Sequence, residues 1–179
     1  MAYIPSSSEL IDATAIYEAA GLRAGMKAAD LGCGTSGHFV FPGARAVGET
    51  GEFYAVDILK SALSSVESRA KLEQATNIKT VWADIDAPNG VAIPSGSLDL
   101  VLLANNQPSP AMMQEAMRLV RSGGKLVVVD WKTSATPFGP PTAQRKDPFQ
   151  IKSMALSAGL KLEKDFSPGK YHWGMVFIK

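Results

Sequence analysis

Apolar positions in this chain gather into short continuous runs, separated by stretches in which they recur every three or four residues. Five of the runs read as strands: Met26–Leu31, Glu52–Asp57, Ile78–Trp82, Leu98–Ala104 and Lys125–Asp130. Neighbouring apolar positions without polar alternation suit strands covered on both faces, as in a parallel sheet. The intervening stretches have helical spacing. Ser6 and Glu9 form a capping-box pattern that predicts a helix to about Ala20, with Leu10, Thr14 and Tyr17 on one face and Gly21 ending it. A helix over Gly37–Val47 is interrupted by Pro42 and Gly43, which predicts a kink or a late start. Ile58–Glu73 is the most regular helix, with Leu59, Leu63, Val66, Ala70 and Leu72 inward and Lys60, Glu67, Arg69 and Lys71 outward. Another runs from Ser109 to Val120, with Pro110 in its first turn and Ser122-Gly123-Gly124 breaking it. The last starts at Asp147-Pro148, with Gln150 completing a cap-like pattern, and stops at Gly159. Leu160–Phe166 and Tyr171–Ile178 then read as a hairpin joined by SPGK. Ala83–Ser97 and Trp131–Lys146 are loops.

Strands that alternate with helices, followed by a hairpin, define a doubly wound α/β fold: a mostly parallel seven-stranded sheet with a reversed last strand. Residues 1–25 are expected to form an arm and cap helix, with Met1–Pro5 as the arm, and residues 26–179 a single domain. In such sheets ligands bind outside the carboxyl ends of the strands. Asp30, Asp57, Asp84, Asn105 and Asp130 all stand at predicted carboxyl ends and should ring one crevice.

The stretch AADLGCGTSGHF, Ala28–Phe39, carries the strongest chemical signal. It reads as a strand running into a turn with Gly32, Gly34 and Gly37 and then into a helix. Glycines there let the backbone approach a ligand closely, and the unpaired N–H groups of a helix start can meet it. A nucleotide-like cofactor is the usual occupant, although the same glycines also serve a tight turn with no ligand. Asp57 ends the next strand 20 residues after Gly37, where an acid would meet ribose hydroxyls. Asp84 ends the third.

Composition narrows the function. The 179 residues are 46% hydrophobic with a net charge of +1, enough for one sizeable core and without the basic field that nucleic acid binding favours. The single cysteine precludes an intramolecular disulfide and fits a reducing compartment. No apolar run is long enough for a membrane span and no signal pattern opens the chain, so a cytoplasmic location is expected. Two histidines and one cysteine far apart offer no metal-ligand spacing.

Together, ADLGCGTSG, YAVD, WAD, DLVLLANN, the Ser-Gly-Gly-Lys-Leu lead into LVVVDW and the final strand pair resemble the class I S-adenosylmethionine-dependent methyltransferases over nearly the whole chain. A nicotinamide-binding domain would share the glycines and Asp57, but neither the terminal hairpin nor Asp84 in this register. The resemblance implies that Gly32, Cys33 and Gly34 cradle the methionine part of S-adenosylmethionine and that Asp30 steers its amino group. It implies Asp57 on the ribose, Ile58 against the adenine, and Asp84 with Ile85 at the adenine amino group. Asn105 would lie near the sulfonium and the acceptor, with Asp130 a second catalytic candidate. Ser36 departs from the resemblance, since many relatives have a third glycine there. NNQPSP departs from the Asn-Pro-Pro-aromatic motif of amino-methylating nucleic-acid enzymes.

The remaining candidates have bland readings beside the functional ones. His38 is expected at a helix cap or surface rather than in the crevice, and His172 at a packed or surface strand position. Cys33 fits its turn by size rather than as a nucleophile. Asp130 and Lys132 bracket Trp131 and either line the acceptor side or pair together. Tyr3 and Tyr17 either close over the cofactor or pack. The loop from Lys132 to Lys146, which carries Arg145, is expected to be a solvated connection, with an acceptor lid as the alternative. A small or medium-sized acceptor is expected, a protein acceptor is an alternative, and nucleic acid is disfavoured. A cofactor-binding module without catalysis is the competing reading.

Overall fold

In the computed structural model, residues 10–179 are described. The proposed arm, the Ser6–Glu9 capping box and Tyr3 lie outside these residues. In chain order the elements are α1 (Ala13–Ala20), β1 (Lys27–Leu31), α2 (Val40–Val47), β2 (Glu52–Asp57), α3 (Lys60–Leu72), β3 (Ile78–Trp82), β4 (Leu98–Ala104), α4 (Pro110–Leu119), β5 (Val120–Trp131), α5 (Pro148–Ser157), β6 (Lys161–Phe166) and β7 (His172–Ile178). The seven strands form one sheet in the order β3-β2-β1-β4-β5-β7-β6. The first five are parallel, while β7 is antiparallel to both β5 and β6. This is the doubly wound sheet with a reversed last strand that the apolar runs imply.

Both faces of the central strands are covered. Along β4, Leu100, Leu102 and Ala104 enter a core shared with α1, α2 and α3, through Ile16, Tyr17, Phe41 and Val66. Val101 and Leu103 enter the opposite core with Met113 and Leu119 of α4 and Ile151 of α5. Period-two side-chain alternation thus delivers apolar groups to two separate layers, which is why the β4 sequence has no polar face. Burial of this kind contributes about 25 cal/mol per Å² of apolar surface and is the main stabilising contribution. Close approach matters too: a Cβ on Gly43 of α2 would come within 2.1 Å of the Phe53 ring on β2, so only glycine lets this helix lie so near the sheet.

Several boundaries differ from those the sequence suggests. α1 starts later, because the Asp12 side chain caps it by accepting from the N–H groups of Thr14 and Ala15 at 2.9 and 3.1 Å. Its inner face is Ala13, Ile16, Tyr17 and Ala20, with Thr14 exposed and Leu10 half-buried. α2 resolves its Pro42 by a late start, at Val40, which leaves Pro42 in the first turn where its missing N–H costs nothing. Leu59 and Leu72 at the ends of α3 point to solvent, 59% and 84% exposed, so its inner face is Ala62, Leu63 and Val66, with Ala70 packed against the same core. Ser122-Gly123-Gly124 does not separate α4 from β5 but lies within β5. Pairing shifts there from Leu98–Val120 to Leu100–Lys125, so the glycines accommodate a bulge.

Candidate functional site

The turn after β1 is locked from two sides. The N–H groups of Gly32 and Cys33 both donate to the Val56 carbonyl of β2, at 2.8 and 3.0 Å. From the other side, the Asn106 amide nitrogen donates to the Leu31 carbonyl at 2.9 Å. Gly32 has φ +80°, and a Cβ on it would lie 2.2 Å from that Asn106 nitrogen. Both conformation and space therefore exclude a side chain. At Gly34 a Cβ would meet nothing within 4 Å, so the backbone there faces open space. The helix expected to begin at this turn instead begins at Val40, so Gly34–Phe39 form an intervening loop.

Asp57 fixes the loop: one carboxylate oxygen accepts from the Gly34 N–H and the other from the Leu59 N–H, both at 2.9 Å. Two hollows meet at Gly32. One, of about 250 Å³, is lined by Asp57, Ile58, Asp84, Ile85 and Met112 among others. The other, of about 210 Å³, is lined by Cys33, Gly34, Ser36, His38 and Asn105 among others. The structure thus gathers Gly32, Cys33, Gly34, Asp57, Ile58, Asp84, Ile85 and Asn105 around one crevice at the carboxyl ends of β1–β4. A larger hollow of about 520 Å³ lies on the sheet's outer edge, between α3 and β3, and none of these residues line it.

Asp30 lies beneath the crevice, 1% exposed, and neither of its carboxyl oxygens has a hydrogen-bond partner among the described residues. Burial, and then the nearby Asp57 charge, push its carboxyl up to about 8. Asn105 has φ +58°, and both polar atoms of its side-chain amide are buried without a partner among the described residues. Such orphaned groups are rare inside proteins and call for a partner. Together with the bare backbone at Gly34, they fit a polar ligand that carries a cationic donor. S-Adenosylmethionine meets that requirement with its ammonium group.

Asp130 is fully buried rather than lining the crevice. Its two oxygens accept from the N–H groups of Gln107 and Trp131, at 3.0 and 2.7 Å. Burial raises its carboxyl above the ordinary value, opposed by those two hydrogen bonds. It does not pair with Lys132, whose ammonium donates to the Lys170 carbonyl instead. Burial also pushes the Cys33 thiol up, which keeps it a neutral, inert group. The Tyr17 hydroxyl is spent on the Phe39 carbonyl at 2.7 Å, so this ring packs and is no lid. His172 is buried against Trp131, with ring centroids 4.1 Å apart. Among the described residues no three metal-ligating side chains cluster.

Against the sequence reading, His38 lines the second hollow and is anchored there by Nε2, 2.9 Å from the Ile11 carbonyl. The loop between Lys132 and Lys146 is largely exposed, as expected of a solvated connection, but it is held together from within. Arg145 is buried in it and donates to the carbonyls of Lys132, Ser134, Phe138 and Pro140 and to the Thr136 hydroxyl. The available signal was an arginine beside a proline-rich loop, where carbonyls without regular partners need a donor.

The strand order, the reversed β7 and the crevice at the strand ends define a Rossmann-like class I methyltransferase fold. Residues 22–168 match the family described as methyltransferase domain, and the chain belongs to that S-adenosylmethionine-dependent family. A demethylmenaquinone methyltransferase of Geobacillus sp. (strain WCH70) is 32% identical over 113 residues, 61% of this chain and 47% of that protein. A ubiquinone/menaquinone biosynthesis C-methyltransferase of Laribacter hongkongensis (strain HLHK9) is 31% identical over 125 residues, 68% of this chain and 49% of that protein. The chain thus spans about half the length of these curated relatives. A SAM-dependent methyltransferase from Aquifex aeolicus shares the fold with a TM-score of 0.86 and 21% identity, covering 98% of this chain and 93% of that one. No helix among the described residues is long and apolar enough to cross a membrane.

Proposed function

We propose that this chain transfers a methyl group from S-adenosylmethionine to a small acceptor bound at the crevice. The observation that carries this reading is the set of orphaned polar atoms on Asp30 and Asn105 beside the open backbone of Gly34. In this reading Asp30 receives the ammonium group and the Gly32–Gly34 backbone lies along the methionine part. Asp57 keeps its bonds to the loop and offers its remaining lone pairs to the ribose. Ile58 and Ile85 enclose the adenine, and Asp84 accepts from its amino group. The Asn105 amide faces the reacting centre.

When bound, the cofactor supplies a methyl group activated by a positively charged sulfur. The chain's contribution is then alignment and the exclusion of water. A general base is needed only where the acceptor must first lose a proton, so the reading requires no triad. The quinone-directed relatives favour a hydroxylated aromatic ring as acceptor. Incubation with methyl-labelled cofactor and a 1,4-naphthohydroquinone tests both levels: labelled product is expected. Label appearing in another component of a cell extract would keep the methyl transfer and replace the acceptor. Binding of NAD in place of S-adenosylhomocysteine would overturn the whole reading.

A further inference from the structure

The turn after β4 is bent against the preference of its own residues. Asn105 and Gln107 both have positive φ, 58° and 50°, a region disfavoured for any residue with a Cβ. Two such residues within three positions need support from outside the turn. β5 provides it on both flanks. The Asn105 N–H donates to the Val129 carbonyl at 2.9 Å, and the Gln107 N–H donates to Asp130 at 3.0 Å. The second Asp130 oxygen is held by the Trp131 N–H, which fixes the carboxylate itself. This brace fixes Asn105 in the lining of the hollow shared with Gly32–Gly34, with its amide buried and without a partner among the described residues.

We propose that Asp130 is a positioning residue: by holding the Gln107 N–H it keeps the turn left-handed and the Asn105 amide aimed at the reacting centre. It touches neither acceptor nor cofactor. This rests on the methyl-transfer reading.

The test compares two ligands by calorimetry: S-adenosylhomocysteine, and sinefungin, which carries an ammonium group where the reactive methyl would be. Asn105→Gly keeps the backbone and removes the amide. It is expected to weaken sinefungin about tenfold relative to S-adenosylhomocysteine, the scale of a hydrogen bond to a charged group. Asp130→Asn turns an amide nitrogen toward one of the two N–H groups and is expected to reproduce that loss, with faster hydrogen exchange at the Gln107 amide. Gln107→Gly, at ease with positive φ, should restore the ratio in the Asp130→Asn background and not in the Asn105→Gly background. Gln107→Val leaves Asp130 untouched but opposes the left-handed conformation, and should lose the ratio too, so the test survives a poorly folding Asp130 variant. An unchanged ratio in Asp130→Asn despite faster Gln107 exchange overturns the proposal, as does the absence of recovery in the double variant. Failure of the wild-type protein to bind S-adenosylhomocysteine would instead remove the methyl-transfer reading, and with it the role of Asn105.

Discussion

Asp30 carries a carboxyl group to a depth where water does not reach it, and its raised value follows from that depth first and from Asp57 second. An unfolded chain ionises this group near its ordinary 3.8, whereas the folded protein holds its proton until about 8. Between those limits the unfolded state binds fewer protons, so Asp30 favours the fold at low pH and opposes it progressively as pH rises through the window. Asp30→Asn should therefore raise the melting temperature of the empty protein near pH 8 and leave it little changed near pH 4. It should also abolish the proton release expected when an ammonium-bearing ligand binds at pH 7, measured by calorimetry in buffers of different ionisation enthalpy. Asp57→Ala should weaken S-adenosylhomocysteine about fivefold or more, the scale of a lost charge-assisted hydrogen bond; an unchanged dissociation constant removes Asp57 from the site. At this scale the glycines and acids of the crevice were legible, because each stands at the end of an apolar run and the run fixes its place. Asp130 was legible as a strand-end acid but not as a brace. Its partner, the Gln107 N–H, lies 23 positions away and is set by the turn's conformation, which no local pattern encodes.

Elements were legible where burial is two-sided and less so at their ends. β4 matches its apolar run residue for residue, and so does β3, although as an edge strand it is half-exposed. Helix starts depend on which of several competent caps the tertiary packing selects, and α1 is capped by Asp12. The connection from Lys132 to Lys146 is exposed as its sequence suggests, but its internal brace was not legible. Its composition is that of a solvated loop, yet Arg145 gathers four of its carbonyls and a hydroxyl, and the guanidinium lies 5.4 Å from the Trp131 ring centroid. Arg145→Met preserves much of the side-chain volume but none of the donors. It should expose the segment 133–144 to limited proteolysis while far-ultraviolet circular dichroism stays that of the wild type. Resistance equal to that of the wild type would mean that the prolines alone hold the loop.

For the whole molecule, the two buried titratable groups with opposite displacements act against each other. Burial lowers the His172 imidazole from 6.5 to about 4, so acidification through that window favours the unfolded chain, which takes up the proton first. Asp30 has the reverse slope over the same interval. Their sum is expected to be nearly flat from about pH 4 to 6.5 and to decline from there to about pH 8, with Asp130 adding in the direction of Asp30. Denaturant titrations should show His172→Phe extending the decline downward in pH, and Asp30→Asn removing most of it.

The position of β7 sets the order in which the sheet can close. β6 is made first, yet its sole neighbour in the sheet is β7, which slots between it and β5. Until those later residues leave the ribosome, β6 has no ladder to join, and β5 keeps a bare apolar flank at Leu126–Val129. The β5–β7 ladder is thus the step that closes the sheet, and a chain in which it has not formed leaves an apolar strand edge open to aggregation.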